Sequence, residues 1–264
     1  MRKIKFKDCV EIFGNVILME TFKVTGVILS TSNFGDANRV VTIYTKEQGK
    51  LEVNAYGCRR ARSPLAGAIQ MFNHINAEIS HGAQVDTIRD ADVINFYPNL
   101  TADIERLSYA AIFFDIVNRM TLPKLCEVEI YHLLVKSLPV LNEKNPQIAT
   151  LMAIAQFMEF TGFQLNFENC VLCGKKITGN ASLSLSDGGA ICENCSHGAV
   201  KGYRYSENLR KTFETLLSFD WQLENSLMFE LRQVREVEKI FFHYAQMIIG
   251  QELKSIKFLR QLPI

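Results

Sequence analysis

The sequence predicts an α+β protein: a small five-stranded barrel, then an all-α region interrupted by a four-cysteine module. Three observations predict it. Residues 20–97 hold short runs rich in Val, Ile and Thr and segments, such as 51–56 and 75–80, that alternate apolar and polar positions with a period of two, as strands with one buried face do. After Pro98 the period changes to three-four, the spacing of helices. Within that second part stand two C-x2-C pairs, Cys170 and Cys173, then Cys192 and Cys195.

The strands follow in order. Lys23–Ser30 and Arg39–Thr45 are rich in Val, Ile and Thr, residues that suit a pleated, half-buried surface. Leu51, Val53 and Ala55 alternate with Glu52, Asn54 and Tyr56, and Ile75, Ala77 and Ile79 with Asn76, Glu78 and Ser80. Val85–Phe96 supplies a fifth strand. Turn residues punctuate them at Asn33–Asp36, Glu47–Gly49, Ser63-Pro64 and His81-Gly82. Five short strands in this span fit a small closed barrel such as an OB-fold, and an SH3-like barrel would read the same way.

The helices come next. Thr101 is placed as the N-cap of a helix carrying Ile104, Leu107, Ala111, Phe114 and Val117. Val128–Leu138 gives a second helix. Pro146 opens a third, which stops at Gly162. Helical periodicity resumes at Ser206–Phe219 and Phe229–Gly250. The predicted division is a barrel over residues 19–98 and a helical domain over 99–264, with the cysteine module at about 167–200. Residues 1–18 read as an N-terminal extension or a mis-called start, because Met19 stands just before the first strand. Arg2, Lys3, Lys5 and Lys7 precede a short apolar run, but Glu11 interrupts it and no small-residue cleavage site follows, so a secretory signal is rejected.

The cysteine spacing carries the most specific chemistry. Two residues between cysteines let one tight turn aim both sulfurs at a single point, and two such turns complete a tetrahedron of thiolates around Zn²⁺. That site has no open coordination position, so it holds structure and does no chemistry. Gly174, Gly188 and Gly189 stand where such turns need positive φ. Disulfide or redox use is the competing reading, but the chain has seven cysteines and Cys9, Cys58 and Cys126 follow no pairing pattern. His197 is either a replacement ligand or an exposed loop histidine.

Composition excludes little by itself. At 264 residues, 48% hydrophobic, 22% charged and net charge +1, the chain is an ordinary globular one. It carries no Walker loop, dinucleotide-binding glycine fingerprint, H-E-x-x-H or G-x-S-x-G, and its five histidines are scattered, so no enzyme activity is expected. Basic charge gathers locally: seven Lys and Arg against three Asp and Glu between Lys23 and Arg62. The run Arg59-Arg60-Ala61-Arg62 follows Gly57 at a strand end, where its side chains can reach a polyanion. Phe34 or Tyr56 would stack on bases if exposed, or belong to the core if not. Lys254, Lys257 and Arg260 form a second basic patch, either a phosphate-facing stripe or the solvent side of a packed terminal segment.

Taken together, these pieces resemble the bacterial recombination mediator family RecO, from about Met19 to Leu259. The matching segments include Val24–Leu29, Asn38–Thr45, Gly57–Ser63, Gly162-Phe163, the cysteine quartet with Gly174 and Gly188-Gly189, and Leu253–Leu259. The resemblance implies an N-terminal OB-fold, a helical domain and one structural Zn²⁺ on Cys170, Cys173, Cys192 and Cys195. It implies a non-enzymatic DNA repair and recombination protein, cytoplasmic and nucleoid-associated. Such a protein binds single- and double-stranded DNA, anneals complementary strands, acts with RecR, recognises the C-terminal tail of single-strand-binding protein, and so helps load RecA. Arg39, Lys50, Arg59, Arg60 and Arg62 are the residues expected to hold DNA. An RNA-binding protein of translation or transcription and a protein-binding adaptor are the alternatives.

Overall fold

The structure is a computed structural model that describes residues 20–196, 202–221 and 229–263. The N-terminal extension and His197 therefore lie outside the described residues.

Five strands close a barrel: β1 (Thr21–Phe34), β2 (Asn38–Thr45), β3 (Gly49–Ala55), β4 (His74–Ser80) and β5 (Asp86–Asn95), in the order β1-β2-β3-β5-β4. All neighbours are antiparallel except β3 and β5, which meet in parallel at Val53–Asn54 and Asp86–Thr87. This is the OB-fold, which settles the choice against an SH3-like barrel. The strand β1 is longer than its Val- and Ile-rich stretch predicts. It runs to Phe34 because its second half, past a register shift between Ile28 and Ser30, is held by pairing with β2 as far as Phe34 opposite Asn38. The core holds Val24, Ile28, Val41, Ile43, Val53, Ile75 and Ile79, the inward residues of the alternation. A short helix that the sequence reading missed, α1 (Leu65–Ala68), adds Leu65 to that core, followed by Ile69.

The helical part begins with α2 (Pro98–Ala102) and α3 (Ile104–Met120). Asp103, not Thr101, caps α3: its carboxylate accepts from the N–H groups of Glu105 and Arg106 at 2.8 and 3.2 Å. Thr101 instead lies inside α2, its hydroxyl donating to the Pro98 carbonyl. A carboxylate both accepts these bonds and complements the positive end of the helix, so Asp103 wins the position. The helices α4 (Val128–Glu143) and α5 (Pro146–Phe160) pack against α3. Gly162 ends α5 with φ +76, while the N–H groups of Gly162 and Phe163 donate back to Glu159 and Met158. The module then contributes β6 (Ala181–Ser184), β7 (Gly189–Cys192), α6 (Glu193–Ser196) and β8 (Tyr203–Arg204), with sheet order β7-β6-β8. The chain closes with α7 (Glu207–Leu217), α8 (Leu231–Ile249) and α9 (Lys254–Leu259).

Barrel and helices are joined by side chains that leave the barrel outward. Val27, Leu29 and Tyr44 are buried in the large core of the helical part, not in the barrel's own. Tyr44 donates its hydroxyl to the Glu127 carbonyl, and burial pushes its phenol up to about 12. His74, also buried, faces the Tyr131 hydroxyl with Nε2 at 2.9 Å. The Lys50 ammonium donates to the Asn118 and Thr121 carbonyls at 2.5 and 2.6 Å. These belong to the last turn and C-cap of α3, where carbonyls lack intrahelical partners and the dipole attracts a cation. At Gly49 the barrel comes so close to the α3–α4 loop that a Cβ would lie 2.0 Å from the Leu125 carbonyl oxygen. With φ +68 as well, no other residue fits there.

Two outcomes are expected from this joint. Lys50→Met leaves the two carbonyls without their cation and should lower unfolding free energy by about 1–2 kcal/mol, read as a lower denaturant midpoint; an unchanged midpoint would refute the anchor. Burial lowers the pKa of His74. The unfolded chain therefore takes up the proton first as pH falls below about 6.5, and stability present above that pH is lost. Melting temperatures between pH 7.5 and 5.5 should fall more steeply for the wild type than for His74→Gln.

Candidate metal centre and basic barrel end

The cysteine module folds around two turns. In the first, the Gly174 N–H donates to the Cys170 carbonyl at 2.8 Å, and the Cys170 N–H donates to the Lys175 carbonyl at 2.8 Å. Gly174 and Gly188 take φ of +72 and +77, as their positions beside the cysteines require. Gly189 is demanded by close approach: a Cβ there would lie 2.4 Å from the Asn166 carbonyl oxygen. That contact lets the Asn166 N–H donate to the Gly188 carbonyl and the Ala190 N–H donate to the Asn166 carbonyl, while the Val171 N–H donates to the Ala190 carbonyl, which brings the Cys192 end of β7 beside the Cys170 turn.

The result gathers all four sulfurs, each within 4.8 Å of the others, and Cys173 and Cys192 are 3.9 Å apart. A tetrahedron with 2.3 Å metal–sulfur arms has edges of roughly 3.8 Å, so the cluster could hold one metal ion. The protonation pattern agrees. Burial raises the Cys170 thiol, but N–H groups of Cys192, Cys173 and Leu172 outweigh it and bring it down to about 6. Cys195 is pushed up to about 12, because its S–H donates to Cys192 and Cys173 and the neighbouring thiolate resists a second charge. A divalent cation removes that repulsion. The four thiolates would complete its coordination, leaving it no open position.

The module is fastened to the helices by apolar contacts. Leu165, Phe167, Leu183 and Leu185 belong to the large helical core. The Phe167 ring stacks on Phe213 with centroids 4.4 Å apart, and the Tyr205 hydroxyl donates to the Phe167 carbonyl.

At the barrel, the turn after β3 is stitched to the tip of the β1–β2 hairpin. The Gly57 N–H donates to Asn38 Oδ1 at 2.9 Å, and the Arg59 N–H donates to the Ala37 carbonyl at 3.0 Å. Cys58 tucks into the barrel core and is 2% exposed, which turns its neighbours outward. Arg59, Arg60 and Arg62 are all exposed, and none forms an ion pair with a described residue. Arg39 reaches the same end, its Nε donating to Asn33 Oδ1 across the hairpin. Phe34 and Tyr56 stand between the two turns as an edge-to-face pair, with Tyr56 56% exposed. Of the five basic residues expected to act together, the structure brings four to one end. Lys50 is not among them, since its ammonium is held by the α3 carbonyls. Charge counting could not foresee this, because which face of β3 meets a helix is set by the packing of distant segments.

The described residues thus define an OB-fold protein with an exposed basic and aromatic end, coupled to a helical domain that carries a four-thiol centre. The comparisons with known proteins place it more narrowly. Residues 19–97 match the family model "Recombination protein O N terminal", and residues 101–257 match "Recombination protein O C terminal". The chain belongs to the RecO family. Among its relatives, the DNA repair protein RecO of Symbiobacterium thermophilum is 26% identical over 249 residues, covering 92% of this chain and 98% of the relative. Those of Halalkalibacterium halodurans and Bacillus pumilus are 24% and 26% identical over 241 residues, each covering 91% of this chain and 94% of the relative. Among the described residues, no helix is long and apolar enough to cross a membrane.

Cys170→Ser should lower the melting temperature and release bound metal, measured by a chromogenic chelator, while leaving nucleic-acid contacts at the barrel in place. A stable, folded variant that has lost nucleic-acid affinity would put the module itself on the ligand.

Proposed function

We propose that the protein is a DNA repair and recombination mediator that binds single- and double-stranded DNA and anneals complementary strands. One observation carries the reading. In a chain of the RecO family, Arg39, Arg59, Arg60 and Arg62 gather at one barrel end beside Phe34 and Tyr56, with the three turn arginines free of ion pairs among the described residues. Arginines that hold phosphates displace condensed counterions and so bind without regard to sequence. Exposed rings stack on unpaired bases, which every base permits. Screening the phosphates of two backbones lets complementary strands meet, and base pairing supplies the free energy. The protein makes and breaks no bond.

The ion at the four cysteines is proposed to be zinc, because thiolates favour soft metals and the tetrahedral set leaves no position open for chemistry. Its role is to fasten the module. RecR, the C-terminal tail of single-strand-binding protein and, through them, RecA are the partners the family reading proposes, in a cytoplasmic, nucleoid-associated setting.

Replacing Arg59, Arg60 and Arg62 together by alanine should weaken single-strand binding and flatten its log–log salt dependence by about 0.7 per lost contact. Fluorescence anisotropy across a salt series reads both. Unchanged affinity and slope would remove the assignment of the site. Tighter binding of RNA than of DNA of the same sequence would shift the function to RNA.

A further inference from the structure

Away from the barrel, α8 carries a second run of positive charge. Arg232, Arg235, Lys239 and His243 are exposed and spaced by three, four and four residues, so they line one helical face. From Arg232 to His243 the face extends about 17 Å. The line does not stop at the helix. His243 Nδ1 lies 3.0 Å from the Tyr203 hydroxyl; burial raises the Tyr203 phenol, and the nearby Arg260 guanidinium opposes that rise. From Arg260 the exposed cations run back along α9 through Lys257 to Lys254. Ile256 and Leu259 pin α9 from beneath as part of the large core, and the Ser255 hydroxyl donates to Asp115 of α3 at 2.9 Å. Exposed Phe258 stands among these charges, 44% open. The acidic residues along or beside the line are Glu230 at the N-cap of α8, half-buried Glu236 and Glu238 on α8, and Glu252 in the turn before α9; the Glu238 carboxylate accepts from the Tyr109 hydroxyl and the Gln147 amide. None of the cations forms an ion pair with a described residue.

We infer that this ridge, from Arg232 through Tyr203 to Lys254, is a second nucleic-acid site that holds one strand while the basic barrel end holds another. The inference rests on the nucleic-acid reading of the barrel and extends it. A strand of DNA offers a charge every 3.4 Å or so along its length, and a linear series of cations on two helices matches a long polyanion. An acidic peptide would need a pocket to fix its side chains, whereas here the exposed aromatic, Phe258, is open for a base to stack on. Two separate strand sites also account for annealing better than one. A single groove makes complementary strands compete, but two sites let both be held by one molecule.

The test is the full-length protein with Lys239, Lys257 and Arg260 changed together to glutamate, beside a variant with Lys239→Arg and Lys257→Arg. Because all three side chains are exposed, melting temperatures should match the wild type, and the arginine variant should behave as wild type throughout. Titration with an oligonucleotide should show two strands bound per wild-type molecule and one per glutamate variant. The salt slope should flatten by about 2 for three lost contacts, and the annealing rate should fall while binding of the first strand persists. Two strands bound and normal annealing by the glutamate variant would overturn the ridge, leaving the barrel site intact. Loss of an acidic peptide's binding with DNA stoichiometry unchanged would overturn it too, in favour of a peptide surface. Salt-insensitive or absent DNA binding by the wild type would defeat the barrel reading and the ridge with it.

Discussion

The strand β1 belongs to two hydrophobic cores at once, and the architecture depends on that sharing. Val24 and Ile28 point into the barrel, while Val27 and Leu29 point into the helices. A strand buried on both faces cannot shift register by a residue without exposing one set and misplacing the other. Tyr44 on β2 and Lys50 on β3 extend the joint, one by its hydroxyl and one by its ammonium. The joint leaves the hairpin tip and the turn after β3 to solvent, which is where the arginines gather. The exposed basic end is thus a consequence of which barrel face the helices cover.

Charge governs the structure at three places with different outcomes. At Lys50 a cation is partly withdrawn from water and compensated by helix carbonyls, so it serves stability. At Arg59, Arg60 and Arg62 the cations remain in water with no described acidic partner, so their interaction energy is available to a ligand. At the cysteine cluster one thiol is set low and another high, a conflict that a bound cation would resolve. The first two cases look alike in a composition count. Only the surroundings separate them.

Much of this was legible beforehand. Val, Ile and Thr richness located the first two strands, alternation located β3 and β4 because a half-buried strand must obey it, and the cysteine spacing located the four-thiol cluster because ligand turns have little geometric freedom. The failures have equally physical causes. The N-cap of α3 went to Asp103 in place of Thr101 because a charged acceptor reached two N–H groups at once. The helix α1 was missed because four residues carry no periodicity. The length of β1 was underestimated because its polar end, Thr31 to Phe34, is held by hairpin pairing with β2 and not by burial.

The sequence by itself determined the order of barrel and helices, the quartet of cysteines and the clustering of arginines near residue 60, since each follows from spacing along the chain. Tertiary structure alone decided that Lys50 is an anchor and that Cys58 is the buried pivot turning the arginines outward. It alone brought His243 of α8 against the Tyr203 hydroxyl of β8. These are relations between residues far apart in sequence. They exist only once apolar burial has fixed which faces meet, and local pattern carries no record of that choice.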